Sequence, residues 1–219
     1  MAAELYLIHI GFLKDEEIFA QRLKRVSRLR RQKVDACRGK EDKLRSLAVG
    51  LLLEEQMRQN FMDPGLVEEE EGGKLIIPNQ TSFYFSLAHS GEYAACAVSD
   101  FPVGVDIQQY KPVREGIAKR FFQADEAALL KRAKGDARQE LFFRLWTGKE
   151  SYVKLTGEGL RKNLNSFCVD LEKGIIEDFS RPQQRAYLRE YRCLPEYAIT
   201  LAGYEDDFAR FVKRIYYRL

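Results

Sequence analysis

Glu150 and Lys154 lie four residues apart, with Trp146 four before them, in Trp146-Thr147-Gly148-Lys149-Glu150-Ser151-Tyr152-Val153-Lys154. On a helix the three stack along one face, a carboxylate followed one turn later by an ammonium. Such a face can hold a metal ion and an anion side by side. Taken alone, its plainer reading is a solvated Glu–Lys pair worth a few tenths of a kcal/mol. Two features argue for more. Gly148 inside a helix costs roughly 1 kcal/mol against alanine, so something else must favour it. The chain's only tryptophan also sits beside the charges. A second carboxylate, Asp106, follows Gly104-Val105 at the end of an apolar strand pattern. Burying it there is costly without a partner, so it either caps a turn or binds a cation.

The elements that must hold these side chains follow from periodicity. Leu141, Phe142, Leu145, Tyr152, Val153 and Leu155 predict a helix from about Arg138 to Leu155, stopped by Gly157. Val103 to Ile107 is mostly apolar, which predicts a central strand. Upstream, Leu5 to Ile10 reads as a first strand. One helical period then starts at Asp15 and runs through Ile18, Phe19, Leu23, Val26 and Leu29. Its other face is basic (Arg22, Lys24, Arg25, Arg28, Arg30, Arg31 and Lys33), either a solvated surface or, at its end, an anion site. A second helix spans about Glu41 to Asn60 and turns Arg45 and Ser46 towards its start, where helix amides favour an anion.

Asp63-Pro64-Gly65 and the acidic run Glu68 to Glu71 read as a solvated loop. After Gly72-Gly73-Lys74 come a short strand at Leu75 to Ile77, a strand at Phe83 to Leu87, a tight turn at His89-Ser90-Gly91-Glu92 and a return strand at Tyr93 to Ser99. The second half repeats the order. Helices are expected at about Arg114 to Phe121 and Asp125 to Arg132. Strands are expected at Phe167 to Leu171, Ala186 to Tyr191, Tyr197 to Tyr204 and in the tail from Phe208 to Leu219. Helices before antiparallel strands, twice, indicate an α+β fold of two similar halves, 1–101 and 102–219.

Composition sets the bounds. The 219 residues are 45% hydrophobic and 12% aromatic, enough for a proper core and too apolar for a disordered chain. A net charge of +3 and no nucleic-acid-binding motif weigh against a DNA or RNA binder, despite the basic helix. Cys37, Cys96, Cys168 and Cys193 are far apart, and with only His9 and His89 beside them they do not make a structural zinc site. They read as reduced, buried small hydrophobes. No signal peptide or membrane-length apolar run is seen, so a cytoplasmic, membrane-free protein is expected.

Gly104-Val105-Asp106, a gap of a little over forty residues, and then Trp146-x-x-Lys149-Glu150-Ser151-x-x-Lys154 resembles the signature of the 4′-phosphopantetheinyl transferase superfamily, in its long, two-halved type. Gly73-Lys74, Ala88-His89-Ser90-Gly91, Arg120-Phe121-Phe122 and Gly157-Glu158-Gly159-Leu160 fit the same type, so the likeness covers about Arg31 to Leu160. The resemblance implies two α+β halves related by a pseudo-twofold, each with an antiparallel sheet and packed helices, and coenzyme A in the cleft between them. It implies Mg²⁺ as cofactor and the serine of an apo acyl or peptidyl carrier protein as acceptor, with 3′,5′-ADP released.

By the same resemblance Asp106 and Glu150 hold the metal, Glu150 accepts the serine proton and Lys154 reaches the pyrophosphate. Lys33, Arg45, Lys74 and His89 bind phosphates at the nucleotide end, with Ser46 close by. A histidine simply satisfied in a hairpin turn is the plainer reading of His89. Lys149, next to Glu150 on the helix, points elsewhere and braces the site. Trp146 is expected in the core.

Many members of the family carry an acidic residue where this chain has Gln108, and a serine where it has Ala88. A water or the Gln108 amide oxygen is expected to fill that coordination place, with weaker metal binding. Gln108 also keeps open a second reading, a catalytically inactive coenzyme A or carrier-protein binding module. Two similar halves in one chain imply a complete site in a monomer. Acidic carrier proteins would be steered by a mildly basic surface.

Overall fold

The computed structural model describes residues 2–70, 73–113 and 116–216. Glu71, Gly72, Arg114, Glu115 and residues 217–219, on which parts of the expected loop, helix and tail fall, lie outside them. The first half runs β1 (Glu4–His9), α1 (Glu16–Arg25), α2 (Arg28–Ala36), α3 (Lys40–Gln59), β2 (Glu68–Glu69), β3 (Leu75–Ile76), β4 (Tyr84–Ser90) and β5 (Tyr93–Ser99). The second runs β6 (Val103–Gln109), α4 (Ile117–Phe121), α5 (Ala124–Arg132), α6 (Gly135–Thr156), β7 (Phe167–Asp170), β8 (Ile175–Asp178), β9 (Ala186–Glu190), β10 (Tyr197–Gly203) and β11 (Lys213–Ile215).

The strands form a sheet ordered β11-β1-β5-β4 and a second ordered β6-β10-β9-β8-β7, with β2 and β3 as a separate short hairpin. The fold is α+β, two-halved, and mostly antiparallel as expected. Side-chain alternation sorts the cores. Leu5 and Leu7 of β1 face Val105 and Ile107 of β6 and Ile199 and Leu201 of β10, filling the space between the sheets. Tyr6 and Ile8 point the other way, onto Leu47, Leu52 and Met57 of α3. On the outer face of the second sheet, Val169, Ile176 and Leu188 meet Leu145, Tyr152 and Val153 of α6. Each sheet therefore carries one long helix on its outside.

Several expectations change. The helical period from Asp15 is two helices, not one. Asp15 caps α1 with bonds to the amides of Glu17 and Ile18, and Ser27 caps a fresh start at α2 through the Arg30 amide, at 3.3 Å. Serine competes for backbone amides and so starts helices rather than continuing them. Glu68-Glu69 pair with Leu75-Ile76 instead of lying in a loop. The strand β8 had no signal strong enough to be expected.

The expected central strand, β6, is an edge of its ladder. Its apolar character comes from being covered on both faces, by the inter-sheet core and by α6. Its free edge is closed by hydroxyls: the Val105 amide donates to Ser86 Oγ and the Gln109 amide to Ser90 Oγ, both at 3.0 Å. These bonds join the two sheets at β4 and β6 without a backbone ladder. The tail also differs, since β11 pairs parallel with β1. The last strand of the expected 102–219 half thus lies in the sheet of the first half. Among the described residues no helix is long and apolar enough to cross a membrane.

Candidate active site

Three glycines shape how α6 meets the second sheet. The first is Gly104. A Cβ there would overlap the carbonyl oxygen of Ser151 and lie 2.7 Å from the Leu155 nitrogen, so only glycine lets α6 press onto β6 at this point. The second is Gly148, where a Cβ would come within 2.9 Å of Val169 Cγ1, which explains glycine inside the helix. The third is Gly157, whose left-handed backbone (φ 73°) ends α6 while its amide caps the Val153 carbonyl at 3.0 Å.

The result is a buried carboxylate with two partners. Lys154 Nζ donates to Asp106 Oδ1 and to the Val105 carbonyl, both at 2.8 Å. Gln108, two residues on and on the same face of β6, donates its amide nitrogen to Asp106 Oδ2 at 3.1 Å. Of the two expected occupants of the coordination place, a water or the Gln108 oxygen, this orientation does not present the oxygen. An oxygen there would meet carboxylate oxygen, so in the ligand-free chain Gln108 serves Asp106 as a donor. Coordination through its oxygen would require the amide to turn over. Burial, and then the negative charge of Asp106, raise the pKa of Glu150, while Lys154 pulls it the other way. Two carboxylates, on a buried strand and a facing helix, are a donor set suited to a hard cation. Among the described residues no group of three or more His, Cys, Asp or Glu is placed to hold a metal. A cation here would complete its shell with oxygens of a ligand or water.

Asp106 and Lys154 open onto a cleft of about 540 Å³ between the halves. Of the expected ligand-binding residues, Lys33, Ser46, Lys74 and His89 also line it. Lys74 crosses from the β2–β3 hairpin to the carbonyl end of α6, close enough that a Cβ on Gly157 would sit 2.6 Å from its Nζ. Lys33 is held by Glu69 at 2.7 Å. His89 lies on β4 with part of its surface exposed. Burial by the cleft walls, then the charges of Arg45 and Lys154, lower its pKa.

Arg45, Gln108 and Glu150 are not among the lining residues. Arg45 instead holds the hairpin tip beside His89, donating to the Gly91 carbonyl at 3.1 Å and to Asp42 Oδ1 at 2.7 Å. Ala88 lines the cleft without offering a polar atom.

Sequence reasoning did not single out Arg30. Its side chain is 6% exposed, lines the cleft, and donates to the Ser46 carbonyl at 3.3 Å. Its stem lies against Gly50 of α3, where a Cβ would overlap it. The available signal was its place three residues before Lys33, on the same face of α2. Two other expectations hold. Lys149 points away from Glu150 into the core, where it bonds Glu126 at 2.8 Å and the Leu164 and Phe167 carbonyls at 2.9 Å. Trp146 stacks on Phe142, with centroids 5.9 Å apart, and meets Phe121 edge-on.

Comparison with known proteins adds independent findings. The family model described as the 4′-phosphopantetheinyl transferase superfamily matches residues 102–202, which contain Asp106, Glu150 and Lys154. A 4′-phosphopantetheinyl transferase of Bacillus subtilis is 32% identical over 84% of this chain and 84% of its own. The 4′-phosphopantetheinyl transferase Sfp of Bacillus subtilis (strain 168) is 31% identical over 85% of this chain and 87% of its own. The 4′-phosphopantetheinyl transferase psf-1 of Bacillus pumilus is 36% identical over 69% of this chain and 66% of its own.

Proposed function

The chain belongs to the 4′-phosphopantetheinyl transferase superfamily, and from that premise we propose that it moves the 4′-phosphopantetheine arm of coenzyme A onto a serine of an apo acyl or peptidyl carrier protein. One observation carries the reading. The Asp106–Lys154 pair, with Glu150 beside it, lies at a cleft whose walls bring Arg30, Lys33, Lys74 and His89 together. Three cations and a protonatable histidine there suit a ligand with several phosphates, as coenzyme A is.

In this reading Arg30, Lys33, Lys74 and His89 hold the nucleotide-end phosphates, with Arg45 acting from the hairpin tip. Lys154 turns from Asp106 to a pyrophosphate oxygen, as a mobile point charge can. Asp106 and Glu150 would hold Mg²⁺, which supplies charge neutralisation on the pyrophosphate. Glu150 accepts the proton of the carrier serine as its hydroxyl attacks the phosphorus that bears the pantetheine arm. A serine–phosphorus ester bond forms, the phosphoanhydride bond breaks, and 3′,5′-ADP leaves with the bridging oxygen. The residues contribute position and charge rather than covalent chemistry.

The test is an intact-mass assay with Mg²⁺, coenzyme A and a panel of apo carrier proteins, with chelator and Asp106→Ala controls. A phosphopantetheine mass gain on the carrier that needs both metal and Asp106 is expected. Coenzyme A binding without gain on any carrier would replace this reading with the inactive binding module, for which Gln108 is the motivating residue.

A further inference from the structure

Helix α6 meets one row of the second sheet at three polar points. In the antiparallel register Asp106 stands opposite Thr200, and Thr200 opposite Glu190. Directly opposed residues share a face, so the three side chains form a line across β6, β10 and β9 beneath the helix. Arg144 grips Glu190 with two parallel bonds, Nε to Oε1 at 2.7 Å and Nη2 to Oε2 at 2.8 Å. Thr147 Oγ1 meets Thr200 Oγ1 at 2.8 Å. Lys154 Nζ meets Asp106 Oδ1 at 2.8 Å.

Positions 144, 147 and 154 follow a helical face. From the first to the last is about 15 Å of helix axis, while the row of strands beneath spans about 10 Å. The helix therefore crosses the row on a diagonal, and fixing two crossing points fixes the third.

The pairs suit that task. Thr147 and Thr200 are fully buried, and a buried hydroxyl is costly unless bonded. Thr147 Oγ1 lies 3.1 Å from the Arg144 carbonyl and donates to it, which leaves it to accept from Thr200. The two upstream contacts are thus one connected chain of hydrogen bonds. The Arg144–Glu190 fork adds direction, since two parallel bonds hold only one relative placement. Leucines at these positions would hold the helix on the sheet but let it slide. None of the four residues lines the cleft.

We infer that Arg144–Glu190 and Thr147–Thr200 set the register of α6 on the sheet, and so position Glu150 and Lys154 against Asp106. They are positioning residues that act through the helix, without touching the ligand. The inference rests on the transfer reaction proposed above.

The test measures kcat and KM for coenzyme A in the intact-mass assay, with Tm alongside. Arg144→Met is expected to lower kcat roughly tenfold with KM within about twofold, because small displacements of catalytic groups cost rate steeply. Thr200→Val, which keeps the side-chain shape, should lower kcat several-fold with the same split. Reversing the pair, Arg144→Glu with Glu190→Arg, should recover most of the rate that Arg144→Glu alone loses. If Arg144→Met does not fold, Thr200→Val carries the test. Variants that lose Tm but keep kcat, or that raise KM with kcat intact, overturn the inference and leave the reaction standing. A wild-type chain that transfers nothing to any carrier overturns both.

Discussion

Replacing Gly104 with alanine should disable the site through packing alone. The new Cβ would overlap the Ser151 carbonyl oxygen, and would lie 2.7 Å from the Leu155 nitrogen and 2.9 Å from the Ser151 carbonyl carbon. All three are backbone atoms of α6, so no rotamer change relieves them. Non-bonded heavy atoms settle near 3.5–4.0 Å, so the helix must retreat by roughly 1 Å. The Lys154–Asp106 bond, now 2.8 Å, would then open to near 4 Å, beyond hydrogen-bond range. Overpacking of this kind costs about 1–3 kcal/mol, or a Tm loss of roughly 2–4 °C per kcal/mol at this chain length. Displacing catalytic groups by about 1 Å can cost on the order of a hundredfold in rate. The assay is phosphopantetheine transfer at saturating coenzyme A, with Tm recorded on the same samples. Gly148→Ala is the control. Its Cβ meets the Val169 side chain, which can give way, so kcat should fall far less. A Gly104→Ala variant with wild-type kcat would refute the argument that this glycine sets the distance between Asp106 and α6.

Gln108→Glu places a third carboxylate beside Asp106 and should tighten Mg²⁺ binding several-fold in a calorimetric titration; unchanged affinity would mean that position 108 does not face the metal. Lys149→Met leaves Glu126 buried without its cation and should cost about 3–5 kcal/mol in urea unfolding, much of it restored by adding Glu126→Gln. Because burial and Asp106 raise the pKa of Glu150, the folded chain holds that proton more tightly than the unfolded chain. The contribution favours folding below the ordinary carboxyl value and is lost as pH rises through the raised one. Glu150→Gln should remove that part of the slope of metal-free Tm against pH, and an unaltered slope would contradict it. Since its surroundings lower the pKa of His89, binding coenzyme A phosphates should draw a proton onto it near neutral pH. Calorimetry in buffers of different ionisation enthalpy should show this uptake, and His89→Asn should lack it.

The charged half of the site was legible because its residues are conspicuous by type and spacing. Glu150 and Lys154 are one turn apart, and Gly157 ends their helix in the left-handed conformation its position suggested. Arg30 was not legible, being one basic residue among seven in a run where burial, not charge, sets it apart. The break at Ser27 was hidden because the apolar period continues across it. The place of β6 at a ladder edge, and the return of β11 to β1, depend on long-range partners that local pattern does not encode. Apolar alternation reports that a strand is covered, not which strand it pairs with.

What local pattern missed has a common physical character. Apart from the Arg144–Glu190 fork, the residues that fix distances around Asp106 are small and uncharged. Gly104 admits α6 from one side, and the Ser86 and Ser90 hydroxyls tie the same strand to β4 from the other. Thr147 and Thr200 link the helix to the next strand. Such residues carry no long-range field, and each acts only within contact distance of its partner. Their roles therefore exist only once the chain has folded, whereas a carboxylate in an apolar strand demands a partner wherever it occurs. Substitutions at the charged residues that line the cleft should accordingly change what the site binds, and substitutions at the positioning residues how closely its parts meet. The first class should move metal and coenzyme A affinities. The second should move kcat at nearly constant affinity.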